Sequence, residues 1–178
     1  MKTKIFNKEK IKIKELTEYN LKDTKRFLDF INSLIGEKVQ ILLDKKLSLK
    51  EERVWLQGQL KEVKSNRKVY LVAESNNLIV GSTEIGCGVG RNKHVGTLHI
   101  AIKKGYRGMG IGKYLMETVI KLAKRRLKLK IIKIPVFATN KPAIGLYNNR
   151  GFKKVARIPK QFQYKGKLVD EIIMLLCL

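Results

Sequence analysis

A run of glycines, Arg107-Gly108-Met109-Gly110-Ile111-Gly112, stands between an apolar strand pattern and an amphipathic helix pattern, and it constrains this chain more than any other stretch. Glycines at this spacing let the backbone turn its N–H groups inward, and the following helix adds the positive end of its dipole. The loop is therefore expected to cradle a phosphate. Two common phosphate loops do not fit. A dinucleotide fingerprint needs a glycine where Lys113 stands, and a nucleoside-triphosphate loop needs Gly at 107 and Ser or Thr at 114, where Arg107 and Tyr114 stand.

The elements around the turn follow from hydrophobic period and punctuation. Ile11 to Lys14 alternates as a first strand. A helix is expected to open at Asn20-Leu21-Lys22-Asp23, to carry Leu21, Phe27, Leu28, Ile31 and Leu34, and to stop near Gly36. Ser48 with Glu51 three residues on is a capping box for a second helix carrying Val54, Trp55, Leu60 and Val63. Val69–Ala73 and Leu78–Ser82 flank Asn76-Asn77 as a hairpin. The glycines of Gly86-Cys87-Gly88-Val89-Gly90 precede a strand, so they are read as a hairpin connection leading to Thr97–Ile102.

Beyond the turn, Leu115, Val119, Leu122, Ala123 and Leu127 form a helical stripe, and Ile131–Ala138 is a strand containing Pro135. Proline cannot donate to a ladder, so that strand must be unpaired on one side. A short helix from Pro142 to Tyr147 is closed by Gly151, and Lys160–Tyr164 and Leu168–Cys177 form a terminal hairpin about Lys165-Gly166. The order βααβββαβαββ describes a mixed α/β sheet, and 178 residues suit a single domain over 1–178.

The 39 Lys+Arg against 15 Asp+Glu give a formal charge of +24, which attracts polyanions nonspecifically. The basic residues are scattered without aromatic interleaving, so no nucleic-acid module is signalled. No apolar run reaches the ~18 residues of a membrane span, and the Lys-rich opening Met1 to Ile5 lacks a signal peptide's apolar region. A cytoplasmic protein with no membrane partner is expected. Cys87 and Cys177 are far apart with no CxxC partner, so both read as reduced thiols rather than zinc or disulfide residues, with Cys177 filling the core.

A second constellation runs from Asn140 through Pro142, Ala143, Leu146 and Tyr147 to Gly151-Phe152. The glycine turn, its helix, the interrupted strand and N-x-x-A-x-x-L-Y-x-x-x-G-F together closely resemble the GNAT acetyltransferase family. The two motifs and what lies between them cover Leu98 to Phe152. The resemblance implies a GNAT-type, mostly antiparallel central sheet with a splayed parallel strand pair, and acetyl-CoA as cosubstrate. It implies that the backbone amides of Arg107, Gly108, Gly110, Ile111, Gly112 and Lys113 hold the pyrophosphate. Ile100, Ala101 and Ile102 would line the pantetheine strand, with an amide there for the oxyanion. Asn140 and Ala143 would hold the cofactor beside that arm, and Tyr147 would protonate the departing thiolate.

The reaction implied is direct attack of an amine on the thioester. At neutral pH a lysine amine costs ~4 kcal/mol to deprotonate and an α-amine under ~1 kcal/mol, so a protein or peptide N-terminus, ribosomal N-termini included, needs only a weak base. Glu84 and His99 are both candidates for that base. Tyr164, Asp170 and Glu171 of the terminal hairpin are candidates for gripping the acceptor. A small amine, polyamine or aminoglycoside, is the alternative acceptor. The charge of +24 disfavours it unless acidic residues cluster locally. A non-catalytic module binding acetyl-CoA or nucleic acid is the third class, and the protein is expected to be a monomer or homodimer.

Overall fold

The computed structural model describes residues 2–178, leaving Met1 of the Lys-rich opening outside the description. The alternating segments form β1 (Lys2–Phe6), β2 (Glu9–Glu15), β3 (Lys68–Ser75), β4 (Leu78–Cys87), β5 (Val95–Ile102), β6 (Ile131–Phe137), β7 (Lys153–Tyr164) and β8 (Lys167–Cys177). The helical stripes form α1 (Thr24–Gly36), α2 (Leu49–Lys64), α3 (Ile111–Leu127) and α4 (Lys141–Asn148). The strands make one sheet in the order β1-β2-β3-β4-β5-β6-β8-β7, antiparallel except for the parallel pair β5–β6. One face packs on α3 through Leu115, Met116, Val119 and Ala123. The other packs on α1 and α2 through Phe27, Phe30, Leu34, Leu56 and Leu60.

Four expectations need correcting. The order opens with two strands, not one, because Lys2–Phe6 pairs back on β2 through a two-residue turn at Asn7 and Lys8. Both turn residues have positive φ (46° and 70°), the geometry a tight hairpin requires, but without the glycine that would have flagged it. α1 begins at Thr24, since the Asn20 carboxamide accepts the Thr17 N–H at 2.7 Å and holds Glu18–Leu21 in a separate 3-10 turn. On α2 the capping box forms, with Ser48 N–H donating to Glu51 at 2.7 Å and Glu51 N–H to the Ser48 hydroxyl at 3.3 Å, but the helix is rotated from the expected face. Glu52, Leu56 and Leu60 are buried, while Val54 and Trp55 are exposed. Cys177 is exposed on the last rung of β8, opposite Ile131, and fills no core; Cys87 is half-buried and also unpaired.

The feature that positions the site is the parting of β5 and β6. They pair only from Val95–Thr97 against Ile131–Lys133. Beyond that, β5 stays with β4 as far as Ile102 and β6 stays with β8 as far as Phe137, so each keeps one ladder and loses the other. Pro135 lies in the parted segment, paired with Ile173 on the β8 side, and has no N–H to offer across the gap.

Candidate active site

At the carboxyl end of β5 the chain enters the glycine turn. Gly105, Gly108 and Gly110 have φ of 86°, 77° and 87°, and Gly110 is the left-handed N-cap of α3. A side chain at Gly108 or Gly110 would be strained in that conformation. Among the described residues, no backbone N–H from Arg107 to Lys113 donates to a backbone carbonyl outside a regular element, and the first turn of α3 leaves its own donors free. Arg107 contributes scaffolding. Its Nε donates to the Ile102 carbonyl at 2.7 Å and its guanidinium pairs with Glu37 at the end of α1, whose carboxylate also accepts the Lys104 N–H at 3.2 Å. The side chain is folded away and the amides are left to face a ligand. Seven successive amide positions with free donors at a helix start fit the pyrophosphate of acetyl-CoA.

The parted strands open into a cavity of about 570 Å³. Leu98, His99, Ile100 and Ala101 line it from β5, Ile134 to Phe137 from β6, and Asn140 and Tyr147 from α4. The α1–α2 loop roofs it. Tyr164 donates its hydroxyl to the Lys38 carbonyl at 2.6 Å, Gln40 bonds Thr139, and Asn32 clamps Leu47 through two hydrogen bonds of 2.9 and 3.0 Å. Phe162 of β7 stacks on Phe137 with centroids 4.1 Å apart, closing the hairpin side.

Each residue singled out by sequence has a definite place. Tyr147 is buried, 6% exposed, and lines the cavity; burial alone pushes its phenol up to about 12. Glu84 pairs across the sheet with Tyr70 on one side and His99 on the other, so the three stand in a row on the cavity floor. One Glu84 oxygen is held by the Lys68 ammonium at 2.9 Å, while the other, Oε2, is buried without a partner. The His99 ring is open to the cavity. Partial withdrawal from water in the cleft lowers its pKa from the usual value, Glu84 opposes this, and Lys68 and Lys133 reinforce it.

Ile100 and Ala101 line the gap; Ile102 lies past it, packed on Gly112 at the start of α3. Asn140 caps α4, its side chain accepting the Ala143 N–H at 3.3 Å, and only Asn140 of the two reaches the cavity. Glu171 is buried against the cavity opposite Phe137 on β8. Its neighbour Asp170 does not share the site. Alternation along β8 turns it away, where the Lys160 N–H at 2.9 Å and Arg157 at 2.5 Å hold its carboxyl below the usual range. Tyr164 is spent on the roof, packed edge-on against Phe137, and lies outside the lining.

The sequence reading missed Glu52. It is 2% exposed, lines the cavity from α2, and burial pushes its carboxyl up to about 7. The signal was its spacing, since Glu52 stands four residues before Leu56 and eight before Leu60 on the buried stripe. With Glu51, Glu84 and Glu171 it makes four carboxylates in the lining, and among the described residues no Lys or Arg lines it.

The matches to known proteins agree with this geometry. Residues 38–152 match the family model described as the acetyltransferase (GNAT) family. An uncharacterized prophage-derived N-acetyltransferase of Bacillus subtilis is 28% identical over 120 residues, 67% of this chain and 66% of that relative, just under two-thirds of its length. An N-alpha-acetyltransferase of Sulfurisphaera tokodaii is 29% identical over 133 residues, 70% of this chain and 79% of the relative. The solved GNAT-family acetyltransferase from Streptococcus pneumoniae superposes with a TM-score of 0.82 at 26% identity, covering 94% of this chain and 99% of that one. A family match across more than half the chain, on a sheet whose one parallel strand pair parts after three rungs, makes this protein a member of the GNAT acetyltransferase family.

Proposed function

We propose that this protein transfers the acetyl group of acetyl-CoA to a primary amine, with the α-amine of a protein or peptide as its acceptor. The observation that carries the reading is the parting of β5 and β6, which borders an acidic chamber, with a turn of free amides following β5 a few residues on. The amides from Arg107 to Lys113 would hold the pyrophosphate, and the unpaired edges of β5 and β6 would take the pantetheine arm by the backbone pairing they lack. Acetyl-CoA supplies an activated thioester; the remaining chemistry falls to side chains of this protein.

Tyr147 stays protonated at neutral pH, so its hydroxyl always offers a hydrogen to the departing sulfur. A phenol near 12 is a weak acid toward a thiolate near 8.5, a gap worth ~5 kcal/mol. Tyr147 therefore acts first as a hydrogen-bond donor to the developing thiolate, and full proton transfer is coupled to proton loss from the new amide nitrogen. His99, biased toward its neutral form by withdrawal from water, can accept that second proton, with Glu84 beside it. A backbone N–H on the Leu98–Ala101 edge is available to the oxyanion.

The α-amine reading draws on the low cost of deprotonating such an amine and on the named activity of the Sulfurisphaera relative. A small polycationic amine is the second reading, and one observation favours it. The acidic residues do cluster locally, at the cavity, so the overall charge of +24 no longer argues against a cationic acceptor. Thiol release from acetyl-CoA with N-terminal peptides, with polyamines and with no acceptor separates the two. Release with none of them would sink the reading.

A further inference from the structure

Glu52 is the least expected group in the chamber. It is a carboxylate on the apolar stripe of α2, 2% exposed, with no ion-pair or hydrogen-bond partner among the described residues, and it is reached only from the cavity. Lining the same cavity are Tyr70 from β3, Glu84 from β4 with its Lys68 partner, His99 from β5, Tyr147 from α4 and, across the parted strands, Glu171 from β8. α1 presents only apolar side chains there, among them Phe27 and Phe30. Glu84 is already neutralised by Lys68 and Glu51 is engaged in the cap of α2. Glu52 and Glu171 are left as the lining carboxylates with no ion pair or hydrogen bond among the described residues, and Glu52 is the one that α2 contributes. A buried unpaired carboxylate is unfavourable unless a cation joins it.

We propose that the α2 side of the cavity is a cation-selective acceptor subsite, in which Glu52 receives the primary ammonium of the acceptor and takes its first proton. The direction of transfer rests on the acetyltransferase reading above; the binding claim does not need turnover. The proton ledger closes. One N–H proton of the ammonium moves to the Glu52 carboxylate, the neutral amine forms the C–N bond as the C–S bond breaks, the nitrogen's second proton is lost, and the departing sulfur gains one. The proton left on Glu52 returns to water.

The test is binding of n-butylammonium, with n-butanol as its neutral counterpart, to the protein saturated with coenzyme A, followed by NMR titration. At pH 8.5, where Glu52 is ionised, the wild type should bind the ammonium at least tenfold more tightly than the alcohol. Glu52→Gln should remove that preference and leave alcohol binding within twofold. The wild type itself should lose the preference at pH 5.5, an arm that needs no variant. Equal affinity for the two probes, an unchanged preference in Glu52→Gln, or no change between the two pH values would each overturn the proposal. The outcome is independent of the acceptor panel, so failure of the acetyltransferase reading shows there and not here.

Discussion

Replacing Glu52 by glutamine should make the ligand-free protein more stable at alkaline pH, and the size follows from its burial. Its carboxyl lies at about 7 in the folded protein against an ordinary 4.5. At ~1.4 kcal/mol per pH unit, that gap is worth about 3 kcal/mol. Because the folded value is the higher one, the native state holds the proton more tightly. The contribution is fully present below pH 4.5 and is lost as pH rises through 7. Glutamine has no proton to lose, so its stability relative to wild type should rise by about 3 kcal/mol between pH 4.5 and pH 8. In a chain of this length that corresponds to a Tm difference on the order of 8 °C. Urea unfolding of both proteins at the two pH values measures it, and titrating groups distant from Glu52 cancel in the double difference. A change below ~1 kcal/mol would refute the argument that this carboxylate is desolvated and unpaired. A value near 3 kcal/mol would mean that the protein retains a group that weakens its fold at neutral pH, as a residue kept for binding or catalysis does.

Tyr147→Phe should lower kcat on the order of 10²-fold while leaving acetyl-CoA affinity within twofold, read by thiol release and by calorimetric titration. Gly110→Ala forces an alanine to φ 87°; it should cost ~1–2 kcal/mol of stability by thermal melting and weaken coenzyme A binding in parallel. Asp170→Asn should leave the acceptor KM unchanged, because that carboxylate is bound to Arg157 and Lys160 outside the cavity; a rise of fivefold or more would put Asp170 back in the site. Raising salt from 50 to 300 mM should weaken acetyl-CoA binding, and an unchanged affinity would show that the surrounding lysines play no part.

What was legible in the sequence was whatever local chemistry dictates. The glycines at 108 and 110 announce left-handed backbone because little else tolerates it, and Pro135 announces a missing ladder because it has no N–H; both lie where the structure needs them. The Ser48–Glu51 capping box likewise fixes the start of α2 from four residues. The misreadings share a different cause. The rotation of α2 is set by what it packs against, so the choice between Trp55 and Glu52 as the inward residue depended on Tyr70 and Phe27 from other elements. Asp170 and Glu171 are adjacent in sequence, and only the pairing of β8 with β6 decides which of them the strand's alternation turns inward. β1 was hidden because its turn uses Asn7-Lys8, and a lysine at φ 70° is tolerated only once the strands on both sides have paired.

Charge ties the two ends of the cleft together. The whole molecule is strongly basic, yet four of its 15 acidic residues meet in one cavity that no Lys or Arg among the described residues lines. Beyond the end of β5, Lys103, Lys104 and Lys113 flank the glycine turn, where Arg107 is already paired with Glu37. The substrates of an acetyl transfer have matching signs, since coenzyme A brings phosphates and a reactive amine arrives as an ammonium. A uniformly positive surface would draw in the donor and repel the acceptor. A uniformly neutral one would leave two buried surfaces to be found by diffusion alone. Placing four carboxylates at the cavity, apart from the lysines of the turn, resolves the conflict by distance. Screening confines surface fields to ~10 Å, so an approaching polyanion meets the lysines. An ammonium that has passed the roof loop meets Glu52 and Glu171 at short range, where little water intervenes and the attraction is strongest. Retaining a carboxylate that costs stability on α2 is then the counterpart of the basic exterior, because without it the chamber would hold no unpaired anion on that side to offset the field outside.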